Sequence, residues 1–369
     1  MPGGRPVSAM LPNNADTRLG KSVAPLVQVH PGVSGVVALR DGRAAFAARA
    51  LLADAAERTL DVQYYIWHRD MSGTLLFEAL RRAADRGVRV RLLLDDNNTG
   101  GLDSVLAALD AHPNIEVRLF NPFRIRRWRA LGYLTDFARL NRRMHNKSFT
   151  ADDQVAIIGG RNVGDEYFGA GQDVLFVDLD VLAIGPVVKD VSRDFESYWN
   201  SASSYPAQRV LPGADPAAMP ALAAAASRIA VDPTARAYID ALAEQPFVRD
   251  LLAHRLPFEW AATTMVSDDP AKGLGRAAQD ELLVARLRRI LKMPARELEL
   301  VSPYFVPGAA GVEYFAALAR RGVAITVLTN SLEATDVVAV HAGYAKRRKP
   351  LLEAGVRLFE MKRAAVVPA

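Results

Sequence analysis

Apolar residues recur along the chain in two rhythms, a helical spacing and short continuous runs, and the two alternate. Val36-Val37-Ala38-Leu39 reads as a strand ended by Asp41-Gly42. From Ala44 to Arg58 the apolar positions Phe46, Ala50, Leu51 and Ala55 fall at helical spacing. Leu60 to Trp67 is β-branched and aromatic, hence a strand. Ser72-Gly73 opens a helix with Leu76, Leu80, Ala83 and Ala84 on one face, and Arg86-Gly87 ends it as a C-cap. Val88 to Leu94 is a buried strand closed by Asp95-Asp96-Asn97-Asn98; a helix over Leu102–Ala111 and a strand over Ile115–Phe120 follow. The order βαβαβ predicts an α/β fold, a mainly parallel or mixed sheet flanked by helices.

Downstream, Lys147–Ala151 and Gln154–Ile158 read as a hairpin turning at Asp152-Asp153. Val174–Ala183 reads as a further strand, and Gly185-Pro186 starts an amphipathic helix through Trp199. Residues 1–32, rich in Pro, Gly and Asn, read as an extended N-terminal arm. Residues 201–220 hold four prolines and read as a linker leading into an Ala-rich helix.

The second half then repeats the first. Arg86–Asp95 aligns with Arg321–Asn330 at an offset of 235 residues, and Val117–Phe120 with Val356–Phe359 at 239. The Leu60–Trp67 strand matches Leu298–Val306. Two lobes of similar design are expected: an extension over 1–32, a first lobe over 33–200, a linker over 201–235 and a second lobe over 236–369.

Composition narrows the chemistry. Of 369 residues, 50% are hydrophobic and 24% charged, which suits a chain with a real core and not a disordered one. There is no Cys, which excludes a disulfide framework, a zinc-thiolate site and a cysteine nucleophile. The net charge of +5 favours an anionic partner without choosing one. No stretch approaches 18 uninterrupted apolar residues, so the chain reads as soluble or peripheral to a membrane.

The candidate chemistry lies in Met144-His145-Asn146-Lys147-Ser148-Phe149-Thr150-Ala151-Asp152, an H-x-K-x4-D pattern followed by Gly159-Gly160-Arg161-Asn162. Alternation along a strand puts His145 and Lys147 on one face, and the hairpin return brings Gly160 and Asn162 beside them. That set suits a phosphodiester. An imidazole attacks phosphorus, Lys and Asn hold the non-bridging oxygens, and small Gly residues let phosphate approach the backbone. The Lys charge stands where a metal would, so neither metal nor cofactor is expected.

The sequence resembles the phospholipase D superfamily, whose H-x-K-x4-D signature it carries, and within it the bacterial cardiolipin synthases of phospholipase D type. Leu60–His68, Leu92–Asn97, Met144–Asp152, Asp165–Phe168, Asp178–Val181, Val301–Gly308 and Leu328–His341 carry the resemblance, which spans nearly the whole chain. It implies a phosphatidyltransferase that makes cardiolipin through a phosphohistidine. Hydrolysis by water is the close variant, and a metal-independent nuclease or a catalytically silent lipid-binding fragment are the alternatives. It implies phospholipid substrates, phosphatidylglycerol or phosphatidylethanolamine, with no nucleic-acid partner, a peripheral place on a bacterial inner membrane, and room for an accessory protein. His145 would be nucleophile or general acid, Lys147 and Asn162 phosphate ligands, and Asp152 the residue that orients a histidine. Asp178, or alternatively Asp173, would support His145.

One departure stands out. The family uses two such motifs, one per lobe, one His attacking and the other protonating the leaving oxygen. This chain has one. The repeat places the partner His near about 384, past Ala369, so the second lobe is expected to be incomplete before its motif. His341 lacks Lys at +2 and reads as a pocket-mouth residue or a helix-surface histidine. His68 is a weaker pocket candidate, and His30, His112 and His254 read as ordinary.

Asn121–Arg143 interleaves Arg with aromatic residues directly before the motif. Arg124, Arg127, Trp128 and Arg142 are the expected substrate or membrane contacts, arginines meeting lipid phosphates and rings lying at the interface. Nucleic-acid binding and a plain solvated loop are the competing readings. Two outcomes are expected. The 369-residue chain should show little or no cardiolipin turnover, and extension to include a second motif should restore it. Flotation with anionic liposomes should exceed binding to single-stranded DNA at matched salt.

Overall fold

The computed structural model describes residues 7–11, 14–126, 129–170, 176–236, 240, 247–290, 293–335 and 337–362. These divide into two compact units, residues 1–286 and 287–369.

The first unit is built on one nine-stranded mixed sheet. In chain order its elements begin with α1 (Arg18–Gln28), β1 (Ser34–Leu39), α2 (Gly42–Ala55), β2 (Thr59–Ile66), α3 (Met71–Asp85), β3 (Arg89–Asn98), α4 (Asp103–Asp110) and β4 (Ile115–Phe120). They continue with α5 (Arg129–Leu140), β5 (Ser148–Ala151), β6 (Val155–Gly159), α6 (Asp165–Phe168), β7 (Asp180–Ile184), α7 (Pro186–Trp199), β8 (Ser204–Pro206), α8 (Ala218–Val231), a short helix Phe247–Leu252 and β9 (Glu259–Ala261). The strand order is β8-β4-β3-β2-β5-β6-β7-β1-β9. Only β2-β3-β4 are parallel; the hairpin β5–β6 sits antiparallel between β2 and β7.

Alternation along β3 sorts the core. Leu92 and Leu94 join Phe46, Leu76, Phe77 and Leu80 under α2 and α3. Leu93 points the other way, to Phe195, Tyr198 and Trp199 of α7. Helices therefore cover both faces, as two-sided apolar strands require.

Three readings change. The amino-terminal arm contains α1, capped by Thr17, whose hydroxyl accepts the Gly20 amide at 3.1 Å. The strand expected from Val174 begins at Asp180, with Val177 and Leu179 exposed before it. Within the proline-rich 201–220 stretch, β8 pairs with the sheet edge at β4.

The second unit holds a three-stranded parallel sheet, β10 (Glu297–Val301), β11 (Ala324–Asn330) and β12 (Arg357–Met361), in that order. Helices Gly308–Arg320 and Val338–Glu353 connect the strands. This is the βαβαβ of β2–β4 again. Gly87 and Gly322, equivalent in the repeat, both take positive φ, 93° and 86°, at the helix-to-strand turn. Their likeness supports a duplicated origin for the two sheets.

Beneath the first sheet lies a buried ion network that composition does not reveal. Arg49 donates to Asp180 at 2.9 Å and to the Tyr64 hydroxyl at 2.7 Å, and Arg161 reaches Asp180 at 3.4 Å. It ties α2 to β7 and β2. Removing one member leaves a charge uncompensated. We expect Arg49→Ala to lower the unfolding free energy by about 3–5 kcal/mol in urea titrations; a loss under 1 kcal/mol would count against the network's role.

Candidate functional site

Strand β5 is too short to contain its own motif. His145, Asn146 and Lys147 form an extended run just before it, and Asp152 lies just after it. The run emerges at the sheet end where β2 also terminates. The Lys147 ammonium donates to the His145 carbonyl at 2.9 Å and stands 3.1 Å from His145 Nδ1. The Tyr65 ring, at the end of β2, packs against the imidazole with centroids 4.6 Å apart, and Lys147 Nζ lies 5.5 Å from the same ring. Three side chains thus converge on one point.

The electrostatics follow from crowding. His145 keeps an edge in solvent, yet desolvation by the surrounding protein, joined by the Lys147 and Lys272 cations, pushes its imidazole down to about 4. The imidazole is therefore neutral at neutral pH. Burial pushes Lys147 down to about 8, against the pull of Asp178, Asp180 and Asp95. The pair joins a neutral nitrogen to a largely charged ammonium.

Two buried carboxylates hold this run. At its far end Asp152 accepts the backbone amides of Arg58 at 2.8 Å, Thr59 at 2.9 Å and Glu57 at 3.1 Å. At its near end Asp95, on β3, accepts the Met144 amide at 2.8 Å and Arg143 Nε at 2.8 Å. Burial pushes Asp95 up to about 6, with Arg143 pulling the other way. Asn146, between His and Lys, donates to Asp194 of α7 at 3.2 Å.

The other expected site residues fall in varied places. Gly160 lies on the hairpin return; a Cβ there would come 1.9 Å from Asp178 Oδ1, so only glycine admits that carboxylate. Asp178 acts electrostatically on Lys147, and among the described residues no hydrogen bond joins it to His145. Asp173, Arg127 and Trp128 lie outside the described residues. Asn162 is buried as a bridge: its Oδ1 accepts the Ile66 amide and its Nδ2 donates to the Tyr167 hydroxyl, both at 3.0 Å. These bonds use one of its two amide hydrogens. Asp152 meets backbone rather than a histidine.

The basic-aromatic segment splits. Arg126 pairs with Asp96 and Asp103, Arg139 with Asp136, and Arg143 with Asp95, while Phe123 is buried. Arg129 also lies beside Asp96 and Asp103, so four of the seven arginines are structural. Arg124 and Arg142 are exposed. Asp95, Asp96, Tyr65 and Asp180 are the residues that sequence reasoning passed over. The detectable signal was a pair of acids closing an apolar parallel strand, at the end where α/β sheets gather ligands.

Four of the other five histidines have local partners. His341 is buried against Tyr344 rather than on a helix surface, His30 stacks on Trp260, and His112 faces Asp85. His68 pairs with Glu166 at 3.2 Å, which raises its pKa. Among the described residues, His68, Asp70 and Glu166 offer ligand atoms within 4.8 Å of one another and are the group best spaced for a metal. Asp70, however, is already engaged by the Gly73 and Asp165 amides.

Residues 50–199 match the family described as "Cardiolipin synthase, PLD-like domain". Cardiolipin synthase C of Escherichia coli (strain K12) is 55% identical over 347 residues, covering 94% of this chain and 73% of that relative. Cardiolipin synthase A of Pseudomonas entomophila (strain L48) is 28% identical over 325 residues, 87% of this chain and 55% of that relative. Among solved structures, phosphatidylserine synthase of Haemophilus influenzae Rd KW20 aligns with a TM-score of 0.55 at 13% identity, over 92% of this chain and 78% of that one, a likeness of fold.

The Lys147–His145 contact has a direct readout. In ring-proton NMR titrations His145 should titrate near pH 4, and Lys147→Ala should move its midpoint up towards the ordinary value near 6.5, because a neighbouring cation is removed. An unchanged midpoint would show that the ammonium does not act on the ring.

Proposed function

The chain belongs to the phospholipase D-like cardiolipin synthases, and from that membership we propose that His145 accepts a phosphatidyl group from one phospholipid and passes it to a second. The observation that carries the reading is the neutral imidazole held against the Lys147 ammonium at the mouth of the sheet.

A ring nitrogen of His145 attacks phosphorus, the P–N bond forms, and the P–O bond to the departing headgroup breaks. Lys147 leaves its contact with the ring to bind a non-bridging oxygen, where its charge offsets what accumulates in the transition state. The remaining amide hydrogen of Asn162 supplies further support; the Gly160 amide is given to the Leu179 carbonyl at 3.1 Å, and that glycine serves by admitting Asp178. A hydroxyl of the second phospholipid then attacks the phosphohistidine: the new P–O bond forms, the P–N bond breaks, the hydroxyl proton passes to the base left by protonating the first headgroup, and cardiolipin and the free imidazole are released. Phosphatidylglycerol fits as donor and acceptor, and phosphatidylethanolamine as donor. Among the described residues no helix is long and apolar enough to cross a membrane. We place the protein peripherally on a bacterial inner membrane, with an accessory protein as a further partner.

The leaving alkoxide needs a proton, and the family draws it from a second motif histidine. The 369-residue polypeptide carries a single H-x-K-x4-D. A donor whose leaving group needs no acid separates the two halves of the chemistry. With the p-nitrophenyl ester of dihexanoyl phosphatidic acid, the polypeptide should release about one equivalent of nitrophenolate in a burst and carry a phosphatidyl adduct on His145 by mass spectrometry. His145→Ala should show neither. With phosphatidylglycerol the same polypeptide should turn over little. A burst that survives His145→Ala would overturn the assignment of the nucleophile, and rapid cardiolipin synthesis would overturn the need for a second motif.

A further inference from the structure

Beside the motif, within the first unit, lies a cleft that the phosphohistidine step does not use. Arg142, Arg143, Lys272, Gly275 and Gln279 line it. One wall is the run leading into His145. The other is the segment 267–275, held firmly against the first unit. The Tyr198 hydroxyl donates to the Asp268 carbonyl at 2.9 Å, and Asp268 Oδ1 accepts the Leu283 amide at 2.6 Å. Gly273 packs where a Cβ would meet Ser203 Oγ at 2.5 Å.

The three cations of the cleft differ in how they are balanced. Arg143 turns inward to Asp95, and Lys272 pairs with Asp268. Arg142 has no ion-pair partner among the described residues. It is nevertheless placed. Asn121 Nδ2 donates to its carbonyl at 2.8 Å, and a Cβ at Gly275 would come 2.6 Å from its guanidinium carbon, so the absent side chain there is what admits the group to the cleft wall. Among the described residues the cleft therefore presents one positive charge without an ion-pair partner, three residues before the nucleophile. Three residues of extended chain span at most about 10 Å.

The chemistry of transfer calls for a charge in that position. When a phosphatidylglycerol hydroxyl attacks the phosphohistidine, its own phosphodiester stays intact, one glycerol away from the reacting phosphorus. That second phosphate carries a single negative charge and needs a seat separate from Lys147. Resting on the transferase reading above, we infer that this cleft is the seat of the acceptor phospholipid, with Arg142 binding its non-reacting phosphodiester and Gln279 available to the headgroup glycerol. A planar guanidinium meets two phosphate oxygens at once, which fixes the acceptor's direction as well as its affinity. Lys272 adds positive field to the same wall, and its charge reaches His145 as well.

The test uses the full 369-residue chain with Lys147→Ala, which weakens the donor phosphate seat. Calorimetric titration with monomeric dihexanoyl phosphatidylglycerol should show one bound equivalent. Adding Arg142→Ala should weaken it about tenfold, the effect of losing a bidentate charged contact, while Arg142→Lys should retain part of the affinity. Arg142 is exposed, so its substitution should leave the urea midpoint unchanged; Lys272→Gln serves as a second variant, with a smaller loss. Equal affinity with and without the Arg142 side chain would overturn the acceptor seat, and the nitrophenolate burst would still stand for the transferase. Displacement of the lipid by equimolar inorganic phosphate would overturn the headgroup assignment in favour of a free-phosphate site. Binding through Arg142 in a polypeptide that gives no burst would uphold the headgroup seat and overturn the transferase reading instead.

Discussion

A carboxylate taken out of water must be met by donors, and two such carboxylates determine where the motif can be. Asp152 is fully buried, and its oxygens are met by three consecutive backbone amides at the start of β2. Asp95, equally buried, is met by Arg143 and the Met144 amide. One pins the strand behind the motif and the other pins the chain before it. Between these anchors His145 and Lys147 need no ladder partners of their own and lie in open extended backbone. The last residue of H-x-K-x4-D thus acts at a distance. It fixes the β5–β6 turn, where Asp152 and Asp153 both adopt positive φ, 51° and 50°, and so fixes the reach of the histidine at the strand's other end.

The same economy of charge runs through the site. Asp180 is balanced below the sheet by Arg49 and Arg161, so its field reaches Lys147 only as a moderating influence. Burial disfavours the protonated form of both His145 and Lys147, but their reference values differ. The imidazole is neutral at neutral pH while the ammonium remains largely protonated. A phosphodiester entering here meets one group able to donate an electron pair and another able to accept charge, without competition between them for a proton. Tyr65 covers a ring face and limits where the imidazole can turn.

Much of the scaffold is legible in the sequence because its signals are local. β2, β3 and β4 each carry a cluster of aliphatic or aromatic residues, α3 carries one apolar face, and the positive-φ Gly87 marks its end. The proximity of His145 and Lys147 is likewise local, two residues apart in extended chain. What escapes is long-range. The amides that hold Asp152 lie more than ninety residues upstream and have no side-chain signature. The partner of Asp95 is one arginine among many, 48 residues away. The basic-aromatic segment misleads for the same reason: its composition suits a lipid surface, yet Arg126, Arg139 and Arg143 are spent on Asp96, Asp103, Asp136 and Asp95. α1 is masked by Pro25, which ordinarily ends a helix and is here tolerated inside one.

The two sheets share an order but not their surroundings. In the first unit β2 has β3 on one side and the motif strand β5 on the other. In the second unit β10, its counterpart in the repeat, has β11 on one side and, among the described residues, no strand on the other. Its burial is correspondingly shallow, with Val301 at 78% exposure, whereas Leu60 and Val62 of β2 are fully buried. The two βαβαβ units thus match in order and in the glycine that turns each helix into its next strand, and differ in how deeply the described residues bury the first strand.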